Sequence, residues 1–132
     1  MTARRRRWGR AASGVCARIG ALLLLWVAAS GPADAHAIVV ASTPAADAVV
    51  TGPDVAIELR FNSRIDHERS RLTLYLPDGG ARPLAEAPDT APDVIGASAV
   101  GLKPGTYRLR WQVLAVDGHI TRGDIPFRVV AP

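Results

Sequence analysis

Apolar residues recur at every second position along several segments of the chain, with polar or small residues between them. This period of two is typical of β-strands that bury one face and expose the other. It predicts strands in residues 55–61, 72–76, 107–113 and 125–129. A further strand is predicted at residues 37–42, and weak strand character surrounds Val94 and Ile95.

Turn-forming residues separate these segments, in clusters of Gly, Pro, Asp, Thr and Lys at residues 51–54, 77–80 and 103–105. Nine prolines within residues 36–132 argue against any long helix. Residues 82–98 are expected to be the least structured part of the chain. Residues 102–107 are typical of a tyrosine corner, in which a Tyr hydroxyl bonds to nearby backbone. The pattern therefore predicts an all-β fold, a small antiparallel β-sandwich or barrel with Greek-key connections.

The beginning of the chain has the three parts of a secretory signal peptide. Residues 1–35 contain an arginine-rich start, an apolar run at residues 21–29 and an Ala-Asp-Ala triplet at residues 33–35. The triplet matches the A-x-A cleavage pattern. We predict that residues 1–35 are cleaved off and that His36 becomes the first residue of one domain, residues 36–132, in the periplasm.

Loss of the leader would change the charge of the protein. The full chain has a formal net charge of +4, but residues 36–132 contain ten Lys and Arg against eleven Asp and Glu. A basic surface is the first requirement for nucleic-acid binding, so we predict no nucleic-acid partner. The only cysteine, Cys16, and the only methionine, Met1, both lie in the leader. The domain therefore offers no sulfur ligand to a metal ion.

Three residues could bind a metal ion together. A free α-amine on His36 would form a bidentate nitrogen chelate with its own imidazole, which no internal histidine can do. Asp117 and His119 would project to the same side if the chain is extended there, because side chains alternate along a strand. Three nitrogens and one oxygen suit a tetragonal Cu(II) ion, whereas zinc could use the same donors but prefers a tetrahedron. Cu(I), which prefers sulfur, is expected to bind poorly.

Each histidine also has a simpler interpretation. His36 could stand at the cleavage site by accident. Asp117-Gly118 is a strong hairpin signal, so on spacing alone a plain turn is favoured over a metal site. The third histidine, His67, is predicted to be an exposed loop residue. A second, weak metal site that combines His67 with Asp66 or Glu68 is the alternative.

The sequence resembles the CopC family of periplasmic copper-binding proteins across essentially all of residues 36–132. The most discriminating match is the combination of His36-Ala37 with Asp117-Gly118-His119. The other matches are residues 42–45, the strand that ends in Phe61, residues 102–107, residues 111–113, Gly123 and Phe127.

The resemblance implies a seven-stranded, cupredoxin-like Greek-key β-barrel with one Cu(II) ion per chain. It also implies the ligands, namely the amine and imidazole of His36, the carboxylate of Asp117 and the imidazole of His119. Two features depart from the family pattern. The methionine-rich Cu(I) site of some relatives is missing, which indicates a member that binds only Cu(II). Asn62-Ser63-Arg64 stands where many relatives have an acidic residue near the copper.

We therefore predict a monomeric periplasmic Cu(II)-binding protein for copper resistance and homeostasis, and not an enzyme. It would sequester copper or hand it to a CopD-like inner-membrane copper transport protein, a partner that the resemblance implies. Because the His36 amine must lose a proton to bind, and its reference pKa is about 7.7–8.0, binding is expected to weaken as the pH falls. Two alternatives stay open: a small copper monooxygenase with an N-terminal histidine brace, and a metal-free immunoglobulin-like interaction module.

Overall fold

A computed structural model describes residues 36–132 of the chain; the predicted leader lies outside the described residues. Eight strands make up the fold: β1 (Val39–Thr43), β2 (Ala48–Thr51), β3 (Val55–Phe61), β4 (Ile65–Tyr75), β5 (Ala81–Leu84), β6 (Val94–Ala99), β7 (Gly105–Ala115) and β8 (Ile120–Val130). No helix that could cross a membrane occurs among the described residues.

The strands form two sheets that face each other across the core. One sheet has the order β1-β3-β6, and the other has the order β2-β8-β7-β4-β5. All neighbouring strands are antiparallel except β2 and β8, which are parallel. The prediction of a small, all-β, antiparallel sandwich is thus confirmed, with eight strands instead of about seven. The short strand β2 was missed because its four residues, Ala-Val-Val-Thr, show no alternation of apolar and polar residues.

Alternation along the strands builds the core. In β3 and β7 every second side chain is buried between the sheets, and the residues between them are largely exposed. Trp111 packs edge-on against Phe61, with ring centroids 5.4 Å apart. At the other end of β7, the hydroxyl of Tyr107 donates a hydrogen bond of 2.8 Å to the carbonyl oxygen of Lys103. This contact confirms the predicted tyrosine corner.

Residues 82–98 are more regular than the sequence predicts. They include most of β5, an isolated bridge between Glu86 and Ala97, and nearly all of β6. In β6 every side chain except that of Ser98 is buried, so the strand lacks the alternation by which the others are recognised. Its composition is also poor in β-branched residues after Ile95, which left only weak strand character in the sequence.

The centre of the outer surface of the five-stranded sheet is polar, whereas Val49 and Ile120 are exposed apolar residues at its margins. Arg110 donates two hydrogen bonds of 2.9 Å to the carboxylate of Asp124, and Arg108 donates one of 3.2 Å to it. The guanidinium of Arg108 also lies 4.3 Å above the ring centre of Tyr75. The Arg110 hydrogen bonds, followed by the charges of Arg110 and Arg108, hold the pKa of Asp124 below its usual value.

This lowered pKa gives a pH-dependent contribution to stability. A carboxylate whose folded-state pKa is depressed stabilises the fold above its unfolded pKa of about 3.9 and loses that effect as the pH falls through its folded pKa. Asp124→Asn should therefore lower the free energy of unfolding at neutral pH, and the difference from wild type should shrink as the pH falls below about 3.9. Urea unfolding at neutral pH and at a series of lower pH values measures this. Asp89→Asn, at an exposed carboxylate with no ion pair among the described residues, is the control. A wild-type–variant difference independent of pH would contradict the assignment.

Close contact between Gly123 and Trp111 gives a second stability prediction. A methyl group at Gly123 would lie 2.7 Å from Cζ2 of the Trp111 ring, which is closer than real contacts allow. Because that ring packs in the core, Gly123→Ala should lower the free energy of unfolding by about 1–3 kcal/mol, the usual cost of overpacking. Gly96→Ala is the matched control, since its new methyl group would find its nearest neighbour at 3.4 Å. Equal losses in the two variants would show that the Trp111 contact is not the cause.

Candidate metal centre

The hairpin between β7 and β8 carries two of the three predicted ligands. Its turn is closed by the N–H of Gly118, which donates to the carbonyl of Ala115, and by the N–H of Ala115, which donates to the carbonyl of His119, both at 2.9 Å. Gly118 has φ of +85°, a backbone conformation that favours glycine. The turn interpretation of Asp-Gly is therefore right. The argument from an extended strand is wrong, because the chain reverses before Asp117 and His119 can alternate as strand residues do.

The turn itself brings Asp117 and His119 together. One carboxylate oxygen of Asp117, Oδ1, accepts a hydrogen bond of 3.0 Å from the backbone N–H of His119. The other oxygen, Oδ2, lies 3.0 Å from Nδ1 of the His119 ring. Aspartate commonly closes turns by accepting from the backbone two residues further on. A turn and a ligand pair are thus the same structure here, and the two interpretations of this motif do not exclude each other.

Asp117 is held in its ionised form. The hydrogen bond from the His119 backbone lowers its pKa most, and the side chains of His119 and His36 act in the same direction. An ionised carboxylate is the form that binds metal ions.

His36 lies against the same hairpin. Its ring stacks on the ring of His119, with centroids 4.8 Å apart and an angle of 28° between the planes. Ala37, the next residue, is buried, and its carbonyl accepts a hydrogen bond of 3.0 Å from the hydroxyl of Thr121. The N–H of Ile38 donates to the side-chain oxygen of Asn62 at 2.8 Å, and the N–H of Asn62 donates back to the carbonyl of Ile38 at 3.0 Å.

All three predicted ligand residues therefore lie together, although they come from distant parts of the chain. Two positioning residues, Asn62 and Thr121, were missed by the sequence analysis. Their roles depend on long-range contacts, since Thr121 and Ala37 are 84 residues apart. Asn62 was noted only because it stands where an acidic residue was expected. The structure shows that its side-chain oxygen instead accepts a hydrogen bond from the Ile38 N–H and so fixes the segment that follows His36.

The predicted donor atoms lie close together, but they do not point at a common centre. Among residues 36–132, no group of three His, Cys, Asp or Glu is arranged so that it could hold a metal ion. Both oxygens of Asp117 are engaged with His119, and the rings of His36 and His119 are stacked face to face. With metal–nitrogen bonds of about 2 Å, two imidazoles that share an ion must point nitrogen atoms at one centre. Binding would therefore require the rings to rotate.

His67 does not lie in an exposed loop, and this prediction is wrong. It belongs to β4, which begins at Ile65, and its ring is partly buried. Its Nδ1 lies 3.2 Å from a carboxylate oxygen of Glu86, a partner that the sequence analysis did not consider. Asp66 instead pairs with Arg69. The polar residues at 66–69 form an irregular bulge against β7. They therefore lack the alternation of apolar and polar residues by which a strand is predicted.

The fold defines a small β-sandwich protein. The cluster of His36, Asp117 and His119 at the β7–β8 hairpin gives it a candidate metal-binding site. The CopC domain family matches residues 39–130. The chain belongs to the CopC family.

Relatives of known name and structure agree with this. Copper resistance protein C of Xanthomonas campestris pv. juglandis is 34% identical over 109 residues, which cover 76% of this chain and 85% of that protein. Protein YobA of Escherichia coli K12 is 35% identical over 98 residues, which cover 72% of this chain and 79% of that protein. The crystal structure of CopC from Methylosinus trichosporium OB3b matches with a TM-score of 0.65 and 26% identity, over 73% of this chain and 95% of that one.

The hydrogen bond from Thr121 generates a prediction about the placement of His36. Thr121→Val keeps the shape of the side chain but removes the bond to the Ala37 carbonyl, and should lower the free energy of unfolding by about 0.5–1.5 kcal/mol. It should also speed hydrogen exchange of the Ile38 amide, because the segment is then held mainly by Asn62. Thr106→Val is the control, since Thr106 is exposed on the adjacent strand and has no side-chain hydrogen bond among the described residues. If both variants exchange at Ile38 like wild type, Thr121 does not position this segment.

Proposed function

We propose that this protein binds one Cu(II) ion per chain in the periplasm and serves copper resistance and homeostasis. The observation that carries the proposal is the packing of the His36 ring against His119, which is itself bonded to Asp117. Signal-peptide cleavage after Ala35 would give His36 a free amine at this place. Membership of the CopC family and the name of the Xanthomonas relative support copper as the metal.

Each proposed ligand would have a distinct role. His36 would supply its amine and its imidazole as a chelate, which fixes two positions around the ion from one residue. His119 would supply a third nitrogen, and Asp117 an oxygen whose negative charge offsets part of the charge of the metal. Three nitrogens and one oxygen fit the tetragonal preference of Cu(II), and the domain offers no cysteine or methionine to favour Cu(I).

Binding of the copper ion would require one of the contacts between Asp117 and His119 to be replaced by bonds to the ion. Of the two Asp117 contacts with His119, the backbone hydrogen bond closes the turn, whereas the contact with Nδ1 joins two side chains. We expect the side-chain contact to be released, because its loss leaves the turn intact. The carboxylate and the imidazole could then both face the ion.

The position of the site suits transfer of copper rather than storage deep in the protein. The side chain of His119 is 63% exposed and lies at the tip of a hairpin. An acceptor protein could therefore reach the ion and replace its ligands one at a time. We propose a CopD-like inner-membrane copper transport protein as the acceptor, with the domain acting as a monomeric, non-enzymatic carrier.

A Cu(II) titration of the exported protein tests the proposal. Intact mass first establishes whether residues 1–35 have been removed. One additional glycine before His36 should weaken binding by more than about 100-fold, since the chelate loses its amine at the correct place and first-sphere losses exceed outer-sphere ones. His119→Ala should cause a loss of similar size. His67→Ala is the control and should bind like wild type, because His67 pairs with Glu86 away from the hairpin.

The electron paramagnetic resonance spectrum of the bound ion supplies a second readout. Wild type should show nitrogen hyperfine coupling that changes when His119 is replaced. Equal affinities of the native and glycine-extended chains would refute the role of the N-terminal amine. A loss in His67→Ala as large as that in His119→Ala would place the site elsewhere.

A further inference from the structure

Five arginines share the outer face of the five-stranded sheet. The strand register places them in neighbouring rows: Arg128 lies opposite Thr106, Arg108 opposite Tyr75, Arg110 opposite Asp124, and Gln112 between Arg71 and Arg122. All five arginine side chains are exposed. We call this surface the arginine face and define it by Arg71, Arg108, Arg110, Arg122 and Arg128.

The arginine face is strongly positive although residues 36–132 as a whole are not, so the net charge used in the sequence analysis did not reveal this basic surface. Residues 36–132 carry ten Lys and Arg against eleven Asp and Glu, and five of those ten cations lie here. Asp124 is the only acidic residue within the four rows. Asp47 and Asp66 lie at opposite margins, and neither pairs with any of the five arginines.

Most of these arginines have no acidic partner of their own. Arg108 and Arg110 share the single carboxylate of Asp124, so one positive charge of that group is left over. Arg71 donates only to the backbone carbonyls of Glu68 and Ser70. Arg122 and Arg128 form no ion pair within the described residues 36–132. The face therefore presents guanidinium groups that are available to outside anions.

Its shape and composition indicate what kind of anion fits. Arg122 and Arg128 are six residues apart on β8, about 20 Å, and the face spans three strands, about 10 Å in width. Between the arginines lie Thr73, Thr106 and the ring of Tyr75, with no large aliphatic side chain at the centre. Protein–protein interfaces have apolar cores that are depleted in charge. A polar face with many separate cations fits a surface of many separate anions better than it fits a folded partner.

We propose that the arginine face docks on a membrane surface that contains anionic phospholipid. Arginine binds phosphate oxygens through two parallel N–H donors, which lysine cannot do. Each cation that reaches an anionic bilayer strengthens partitioning by about fivefold, and the effect declines when salt shortens the Debye length.

Docking in this way would leave the candidate metal centre at the margin of the contact. His119 precedes Arg122 by three residues, about 10 Å along the strand. The hairpin would therefore lie at the level of the membrane surface without being covered by it. The docking itself needs only the described sheet and does not depend on copper or on the proposed ligands.

Vesicle sedimentation in the absence of copper tests the proposal. The protein is mixed with vesicles of phosphatidylcholine alone or with about 30% phosphatidylglycerol, at about 0.1 M and about 1 M salt. Wild type should bind only the anionic vesicles and only at low salt. Arg122→Gln/Arg128→Gln should reduce partitioning by about 25-fold, the product of two fivefold effects. Arg64→Gln/Lys103→Gln, which removes two exposed cations outside the face, should retain most of the binding.

Intact mass verifies that all variants have the same leader status, so differences between them report on the face. The proposal is overturned if wild type does not prefer anionic vesicles or if both double variants lose binding equally. Tighter binding to soluble polyglutamate than to the vesicles would also overturn it, in favour of an acidic polypeptide. Because the variants could be misfolded, arginine modification of wild type by phenylglyoxal gives a second test. Vesicles should protect Arg122 and Arg128 but not Arg64.

Discussion

The pairing of β7 with β8 is the interaction on which the rest of this structure depends. The two strands stay in register from Gly105 opposite Val129 to Leu114 opposite Ile120. Because side chains alternate, this one register sends Leu109, Trp111 and their neighbours into the core and the arginines to the outer face. A slip by one residue would exchange the two sets, so burial of the core fixes the register strongly. The same pairing ends in the turn that brings Asp117 to His119.

The position of His36 depends on a second, weaker set of contacts. The buried side chain of Ala37 and the hydrogen bonds of Thr121 and Asn62 fix the segment that follows it. These contacts join the beginning of the domain to β8 and to the loop after β3. The three residues proposed as ligands therefore come together only when both sheets are assembled, which makes the candidate site a product of the whole fold.

Much of this could be predicted from the sequence, and the failures have physical reasons. Strands with one buried face, such as β3 and β7, were found because their alternation follows from burial. The strands β2 and β6 lack alternation. Strand β2 has only four residues, and nearly all residues of β6 are buried. The three residues proposed as ligands lie near one another, but Asp117 and His119 meet through turn geometry instead of strand periodicity. His67 was misplaced because its partner, Glu86, is distant in sequence.

The incomplete convergence of the donor atoms bears on what the site can do. A site built for chemistry on a bound metal is held rigidly in its final geometry by its surroundings. Here the His119 imidazole is exposed, Asp117 is bonded to His119 itself, and the two rings stack on each other. Part of the binding free energy would be spent on separating these groups, and the same contacts would re-form when the ion leaves. This exchange would weaken the binding of an ion, because the hairpin has its own satisfied hydrogen bonds. Such a site would release an ion more readily than one whose ligands are held in a fixed geometry.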